Sequence, residues 1–132
     1  MIKVALVDDQ QLVRQGIAGL LSLSEDIDII WQAENGEHAQ ELLEEQQPQV
    51  MLLDIRMPKM NGIEFLNILK SDDELKYIPI VIMSSSDNYL DVKECYKIGI
   101  AGYIIKPLHF TDYSNRIVSL LNYWSNNELS ID

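Results

Sequence analysis

Apolar positions along this chain follow two periods that replace one another repeatedly. Ile2 to Val7 is an almost continuous apolar, β-branched run, the pattern of a strand covered on both faces of a parallel sheet. From Gln10 the period lengthens, and Val13, Ile17, Leu20 and Leu21 line one face of a helix. The same change recurs downstream. Ile27 to Ala33 reads as a strand, Glu37 to Gln46 as a helix with a polar face, and Val50 to Leu53 as a strand after Pro48 stops the helix. Ile63 to Lys70 is helical, with Ile63, Leu66 and Leu69 facing inward, and Ile78 to Met83 is a strand. Asn88 to Ile98 forms a helix closed by Gly99, whose freedom to take positive φ suits the position after a helix end. Ala101 to Ile105 is the last strand, and Tyr113, Ile117, Leu120, Leu121 and Trp124 stripe a final helix.

Strands alternating with helices through short loops predict an α/β fold, a parallel sheet with helices on both faces, because right-handed crossovers leave few other arrangements. At 132 residues the chain is the size of one domain. It divides into a folded unit over residues 1–124 and a short polar tail over 125–132, expected to fray. Lys and Arg number 10 and Asp and Glu 21, a net charge of −11 that repels nucleic-acid backbones and anionic lipid surfaces. The charge is uneven. From Gln15 through Ile55 there is no Lys or Arg, while Glu25, Asp26, Asp28, Glu34, Glu37, Glu41, Glu44, Glu45 and Asp54 all fall there. A solvated helix face around Glu37, Glu41 and Glu45 is the plain reading of that run, with a dedicated binding surface as the alternative. Cys95 is the lone cysteine, so no internal disulfide forms. The first apolar run is too short for a signal peptide, and none approaches the roughly 20 residues that cross a bilayer. A cytoplasmic location without membrane contact is the expectation.

In an open parallel sheet, ligands bind beyond the carboxyl ends of the strands, where the strand order reverses. The first strand ends in Asp8-Asp9, the third in Asp54, the fourth in Ser84 and the fifth in Lys106. Parallel strands point one way, so these ends share one edge despite their separation in sequence. Three carboxylates gathered there repel one another unless a cation neutralises them. Oxygen-only ligands, with no Cys or His close in sequence, suit a hard divalent ion, Mg²⁺ in preference to Ca²⁺. Phosphoryl transfer uses the same parts: a carboxylate nucleophile, a metal, and a cation and hydroxyl for the remaining phosphoryl oxygens. Each residue taken singly has a plainer role. Asp8 or Asp9 could cap the first helix, Asp54 could be a turn residue, Ser84 could cap the fourth helix, and Lys106 could be a surface lysine. Coincidence of all four plain roles at four strand ends is the weaker account.

These residues resemble the receiver domain of bacterial two-component response regulators, typified by the chemotaxis receiver fold. Asp8-Asp9 is similar to the family's acidic pair, Asp54 through Gly62 to its phosphoacceptor segment, and Gly102-Tyr103-Ile104-Ile105-Lys106-Pro107 to its last-strand motif. The resemblance runs from Ile2 to about Trp124. It implies the flavodoxin-like strand order 2-1-3-4-5. It also implies that Asp54 accepts a phosphoryl group from a phosphohistidine on a sensor histidine kinase or phosphotransfer protein. Asp9, Asp54 and the backbone carbonyl of Arg56 would ligate Mg²⁺, with Asp8 acting through water. Lys106 would pair with a phosphoryl oxygen, Ser84 would swing toward the phosphate, and Pro107 makes a cis Lys106-Pro107 bond an expectation. Tyr103 resembles the aromatic switch residue that turns inward as the Ser84 hydroxyl moves, reshaping the face of the fourth helix, fifth strand and fifth helix. Lys93 and Lys97 fall on that helix. Arg56 and Ser86 stand where the family tunes the lifetime of the phosphoaspartate.

The resemblance thus implies a phosphorylation-controlled switch and not an enzyme acting on a separate substrate. Its partners would be the phosphodonor and either a downstream protein or an output domain of a longer regulator. It leaves a monomer and a phosphorylation-linked dimer both open. A flavin or dinucleotide carrier needs a Ser, Thr or Gly-rich phosphate loop after the first strand, where Asp8-Asp9-Gln10-Gln11 stands. An aspartyl phosphatase wants an acid/base carboxylate two residues after Asp54, the position of Arg56. A binding module that works without phosphorylation would be expected to lack a site residue, and none is missing.

Overall fold

The apolar runs fold as one sheet of five strands. The structure is a computed structural model that describes residues 1–55, 61–84, 89–105 and 119, with the backbone alone at 84, 89–92 and 105. The strands are β1 (Ile2–Val7), β2 (Ile27–Ala33), β3 (Val50–Asp54), β4 (Ile80–Ser84) and β5 (Gly102–Ile105). Between them run α1 (Gln11–Leu21), α2 (Gly36–Glu45), α3 (Gly62–Ser71) and α4 (Tyr89–Ile98). The sheet order is β2-β1-β3-β4-β5, and every neighbouring pair is parallel, as the sequence pattern and the resemblance predict. The expected final helix lies outside the described residues apart from position 119, which is helical, and the tail at 125–132 lies outside them altogether.

Alternate residues of each strand serve opposite faces of the sheet. Ala5, Val7, Met51, Leu53, Ile80 and Ile82 join Leu43 of α2, Phe65, Leu66 and Leu69 of α3, and Cys95 of α4 in one core. Val4, Leu6, Val50, Leu52, Val81 and Met83 pack with Ile17, Ala18 and Leu21 of α1 in the other. Strands covered on both sides have no solvent face to decorate with polar residues, which is why their sequences read as unbroken apolar runs. Each large aliphatic side chain buried in this way stabilises the fold by about 1.5–3 kcal/mol.

Element ends follow local chemistry. Asn35 and Asn61 cap α2 and α3, their side chains accepting the backbone N–H of His38 and of Glu64, each at 2.9 Å. Gly99 ends α4 with φ +118° while its N–H donates to the Cys95 carbonyl at 2.9 Å, the closure read from the sequence. The fourth strand starts two residues later than its apolar run. Ile78 is buried but belongs to the turn after α3, donating to the Leu75 carbonyl, and pairing with β3 begins at Ile80. Pro79, lacking an N–H, contributes only its carbonyl, which accepts from Met51.

Candidate functional site

The sheet order reverses at β1. The chain leaves β1 toward β2 on one side, and returns to place β3 on the other, so the loops after β1 and β3 diverge and open a crevice between them. Asp8 and Asp9 follow β1 directly, and Asp54 is the last residue of β3. One carboxylate oxygen from each of the three lies within 4.8 Å of the others. The cluster expected from strand ends alone is therefore assembled.

Its members differ in environment. Asp8 is fully buried and Asp54 is 5% exposed, whereas Asp9 is open to solvent. Removing a carboxylate from water costs several kcal/mol unless partners or a cation compensate, so this burial requires compensation from the surroundings. Asp8 is held at three points. Its N–H donates to the Ala33 carbonyl at 3.0 Å, its Oδ1 accepts the Gln10 N–H at 2.9 Å, and its carbonyl accepts from Arg14 Nη1 at 2.7 Å. Neither Asp8 nor Asp9 is the capping residue of α1. That position falls to Gln10, whose side chain makes no capping bond.

Asp54 is anchored through the backbone that follows it. The Ile55 N–H donates to the Met83 carbonyl at 3.1 Å, and the Ile55 carbonyl accepts the Gly62 N–H at 2.9 Å. Gly62 is a residue whose role here the sequence pattern did not reveal. A Cβ at that position would sit 2.6 Å from both the Asp54 carbonyl oxygen and the Ile55 Cα, so the start of α3 reaches the end of β3 only because residue 62 has no side chain. The Asn61-Gly62 pair was the only signal, and it reads equally well as a simple turn.

Ser84 ends β4 with its Cα in register with Ile105, the residue before Lys106. The Ser84 side chain, Arg56, Ser86, Lys106 and the Lys106-Pro107 bond lie outside the described residues. Tyr103, in β5 opposite Ile82, is 39% exposed. Its ring meets the half-exposed Tyr96 ring of α4 edge to face, with centroids 6.0 Å apart and planes at 87°. Tyr96 is a second residue that the sequence reading left aside, since a single exposed helix aromatic carries no pattern. Lys93 and Lys97 are exposed on the same helix, and Cys95 is buried in the core.

Three carboxylates with no sulfur or imidazole among them form an oxygen donor set that fits a hard divalent cation such as Mg²⁺. Among the described residues no helix is long and apolar enough to cross a membrane.

Comparison with known proteins agrees with this geometry. The response regulator receiver domain family matches residues 4–118. The transcriptional regulatory protein LnrK of Bacillus subtilis is 36% identical over 108 residues, covering 82% of this chain and 48% of LnrK. Among solved structures, the Mn²⁺-bound response regulator Rcp1 superposes with a TM-score of 0.82 at 26% identity, covering 94% of each chain. The phosphorylated cyanobacterial phytochrome response regulator RcpA superposes with a TM-score of 0.85 at 26% identity, covering 96% of this chain and 95% of RcpA. The chain belongs to the response regulator receiver domain family of two-component systems. It spans about half the length of the curated regulators it matches first.

Proposed function

We propose that this receiver takes a phosphoryl group onto Asp54 from a phosphohistidine of a sensor histidine kinase or a phosphotransfer protein. The observation that carries this reading is the meeting of Asp8, Asp9 and Asp54, with oxygens within 4.8 Å, at the switch point of the sheet. A carboxylate oxygen of Asp54 attacks phosphorus, the P–N bond to the donor imidazole breaks, and an acyl phosphate remains on the aspartate. Asp9 and Asp54, with the backbone carbonyl of Arg56, would hold Mg²⁺, and Asp8 would act through a bound water. The ion, when bound, neutralises charge on the incoming phosphoryl oxygens. Asp8, fixed at its N–H, carbonyl and carboxylate, keeps the acidic loop in place. The end of β3, pinned between Met83 and Gly62, orients Asp54.

Lys106 pairs with one phosphoryl oxygen and the Ser84 hydroxyl with another. Movement of Ser84 vacates space for Tyr103, and the surface built on α4 and β5 together with the last helix changes shape for a partner. The domain over 1–124 performs this switching in the cytoplasm, as a monomer or as a dimer linked to phosphorylation, and does not contact nucleic acid itself. A second reading, the receiver of a longer DNA-binding regulator, is favoured by LnrK, a transcriptional regulatory protein of which this chain matches about half. In that case the α4-β5 face contacts an output domain.

Incubation with acetyl phosphate and Mg²⁺, read by intact mass, tests the chemistry. One phosphoryl adduct is expected on the wild type, and none on Asp54→Asn or without metal. An adduct that persists in Asp54→Asn moves the acceptor elsewhere, and no adduct on the wild type in the cold ends the reading.

A further inference from the structure

Each crossover helix starts at the carboxyl edge of the sheet and ends at the opposite edge, because it must return the chain to the start of the next strand. At that opposite edge, the C-terminal halves of α2 and α3 and the turn after α3 enclose a groove of about 400 Å³. Its floor is apolar: Leu43 is buried, Leu75 is half-buried, and Ile68 is 38% exposed, a large aliphatic side chain left partly in water. Its rim carries Glu44, Asp72 and Glu74, all exposed, and among the described residues no Lys or Arg lines it. A shallower depression continues it along α3 past Ile68 and Asp72.

The two lysines of α3 and the turn after it are turned to other tasks. Lys70 Nζ donates to the Lys76 carbonyl at 2.9 Å and the Ile78 carbonyl at 3.4 Å. Lys76 reaches the Asp73 carboxylate at 3.4 Å and lies 5.3 Å from the centre of the Tyr77 ring. On the α2 side the chain carries no Lys or Arg from Gln15 through Ile55, and His38 in the first turn of α2 is not among the groove's lining residues. The groove therefore pairs an apolar floor with an acidic rim in a region short of positive charge.

We propose that this groove docks a basic amphipathic segment of a partner protein. One apolar side chain of the segment sits between Leu43, Ile68 and Leu75, and its flanking Lys or Arg side chains face Glu44, Asp72 and Glu74. A cleft of this size takes a few side chains and not a folded domain. Exposed ion pairs contribute little affinity individually, so the apolar anchor supplies the binding and the acidic rim the selection. The groove lies at the edge of the sheet away from Asp54, and docking there is independent of phosphorylation. It tethers a partner in both states of the switch.

The test uses a synthetic helical peptide with leucines at i and i+4 flanked by Lys and Arg, titrated into the isotope-labelled full chain and followed by two-dimensional NMR. Saturable shifts confined to residues 40–47 and 67–75 are expected, and the same affinity in Asp54→Asn. Glu44→Lys with Glu74→Lys should weaken binding by about tenfold or more, while Glu37→Lys with Glu41→Lys, an equal change of net charge outside the groove, should alter it by less than about twofold. Thermal melts by circular dichroism check that both pairs fold. Equal losses from the two pairs, equal binding of a peptide with Glu in place of Lys and Arg, shifts elsewhere, or no saturation at millimolar peptide would each overturn the proposal. The proposed phosphoryl chemistry at Asp54 stands or falls separately.

Discussion

At the carboxyl edge of the sheet Asp8 and Asp54 are buried, each held through backbone hydrogen bonds at a strand end, whereas at the opposite edge Glu44, Asp72 and Glu74 stand exposed around an apolar groove. Burying a carboxylate costs several kcal/mol before compensation, and an exposed one costs almost nothing. The first edge therefore requires a rigid frame. Asp8 is tied to Ala33, Gln10 and Arg14, and Asp54 lies beside Gly62, where a Cβ would come within 2.6 Å of the Asp54 carbonyl oxygen. The second edge needs only local caps, as where Asp72 Oδ1 accepts the N–H groups of Glu74 and Leu75 at 2.8 and 3.0 Å. Charge fixed in a frame suits chemistry on a small group, and charge free on a rim suits selection of a partner. The difference lies in how the carboxylates are held, because both edges are acidic.

The sharpest way to break the frame at the first edge is Gly62→Ala. The new methyl meets the Asp54 carbonyl and the Ile55 Cα, so either α3 or the end of β3 must move. A loss of roughly 1–3 kcal/mol is expected in urea denaturation, together with slower uptake of phosphate from acetyl phosphate. An unchanged midpoint would mean that α3 adapts freely and that the close approach does not position Asp54.

Asp8→Asn acts on charge with little change of shape. Its amide oxygen still accepts the Gln10 N–H, so the midpoint of unfolding should hold, while Mg²⁺ affinity falls by roughly tenfold. A metal titration followed by NMR distinguishes this from the alternative that Asp8 serves only the loop, in which affinity would stay constant.

Arg56→Ala should change the rate of phosphoaspartate loss by a few-fold, about 1 kcal/mol of barrier, with Mg²⁺ affinity nearly intact because the proposed ligand is the backbone carbonyl. Equal decay rates of the two proteins after removal of acetyl phosphate would end that idea.

The smallest effect belongs to Lys70, beneath the turn that supports the groove. Burial lowers its pKa from the usual 10.5. The folded state then binds fewer protons than the unfolded state between the lowered value and 10.5, so stability rises with pH across that window. The penalty of the charged form is fully present below the lowered value. Urea midpoints of Lys70→Gln should show a slightly flatter rise toward pH 10.5 than the wild type. Parallel curves would mean that the carbonyls of Lys76 and Ile78 compensate the ammonium as well as water does.

The inner strands β1, β3 and β4 were legible because burial on both faces leaves an almost continuous apolar run that needs no knowledge of neighbours. The carboxylate cluster was legible for a related reason. A parallel sheet sends all strand ends to one edge, so residues after Val7 and at the end of β3 must converge. Other features depend on distances between elements that no period records. The sequence offered Asp8 and Asp9 as alternative caps for α1, but the cap is Gln10 and Asp8 turns its carboxylate to the Gln10 N–H. The start of β4 moved from Ile78 to Ile80 because burial alone does not distinguish a strand from a packed turn.

The sequence by itself determined the α/β alternation, the parallel sheet and the identity of the three aspartates, because each follows from local periodicity and the direction of parallel strands. Tertiary structure alone decided that Gly62 must lack a side chain, that Tyr96 stands against Tyr103, and that α2 and α3 leave an acidic groove between them. These are contacts between elements distant in the chain, and their geometry is set by packing, in which a shift of an ångström decides whether a Cβ fits, two rings meet or a cleft stays open.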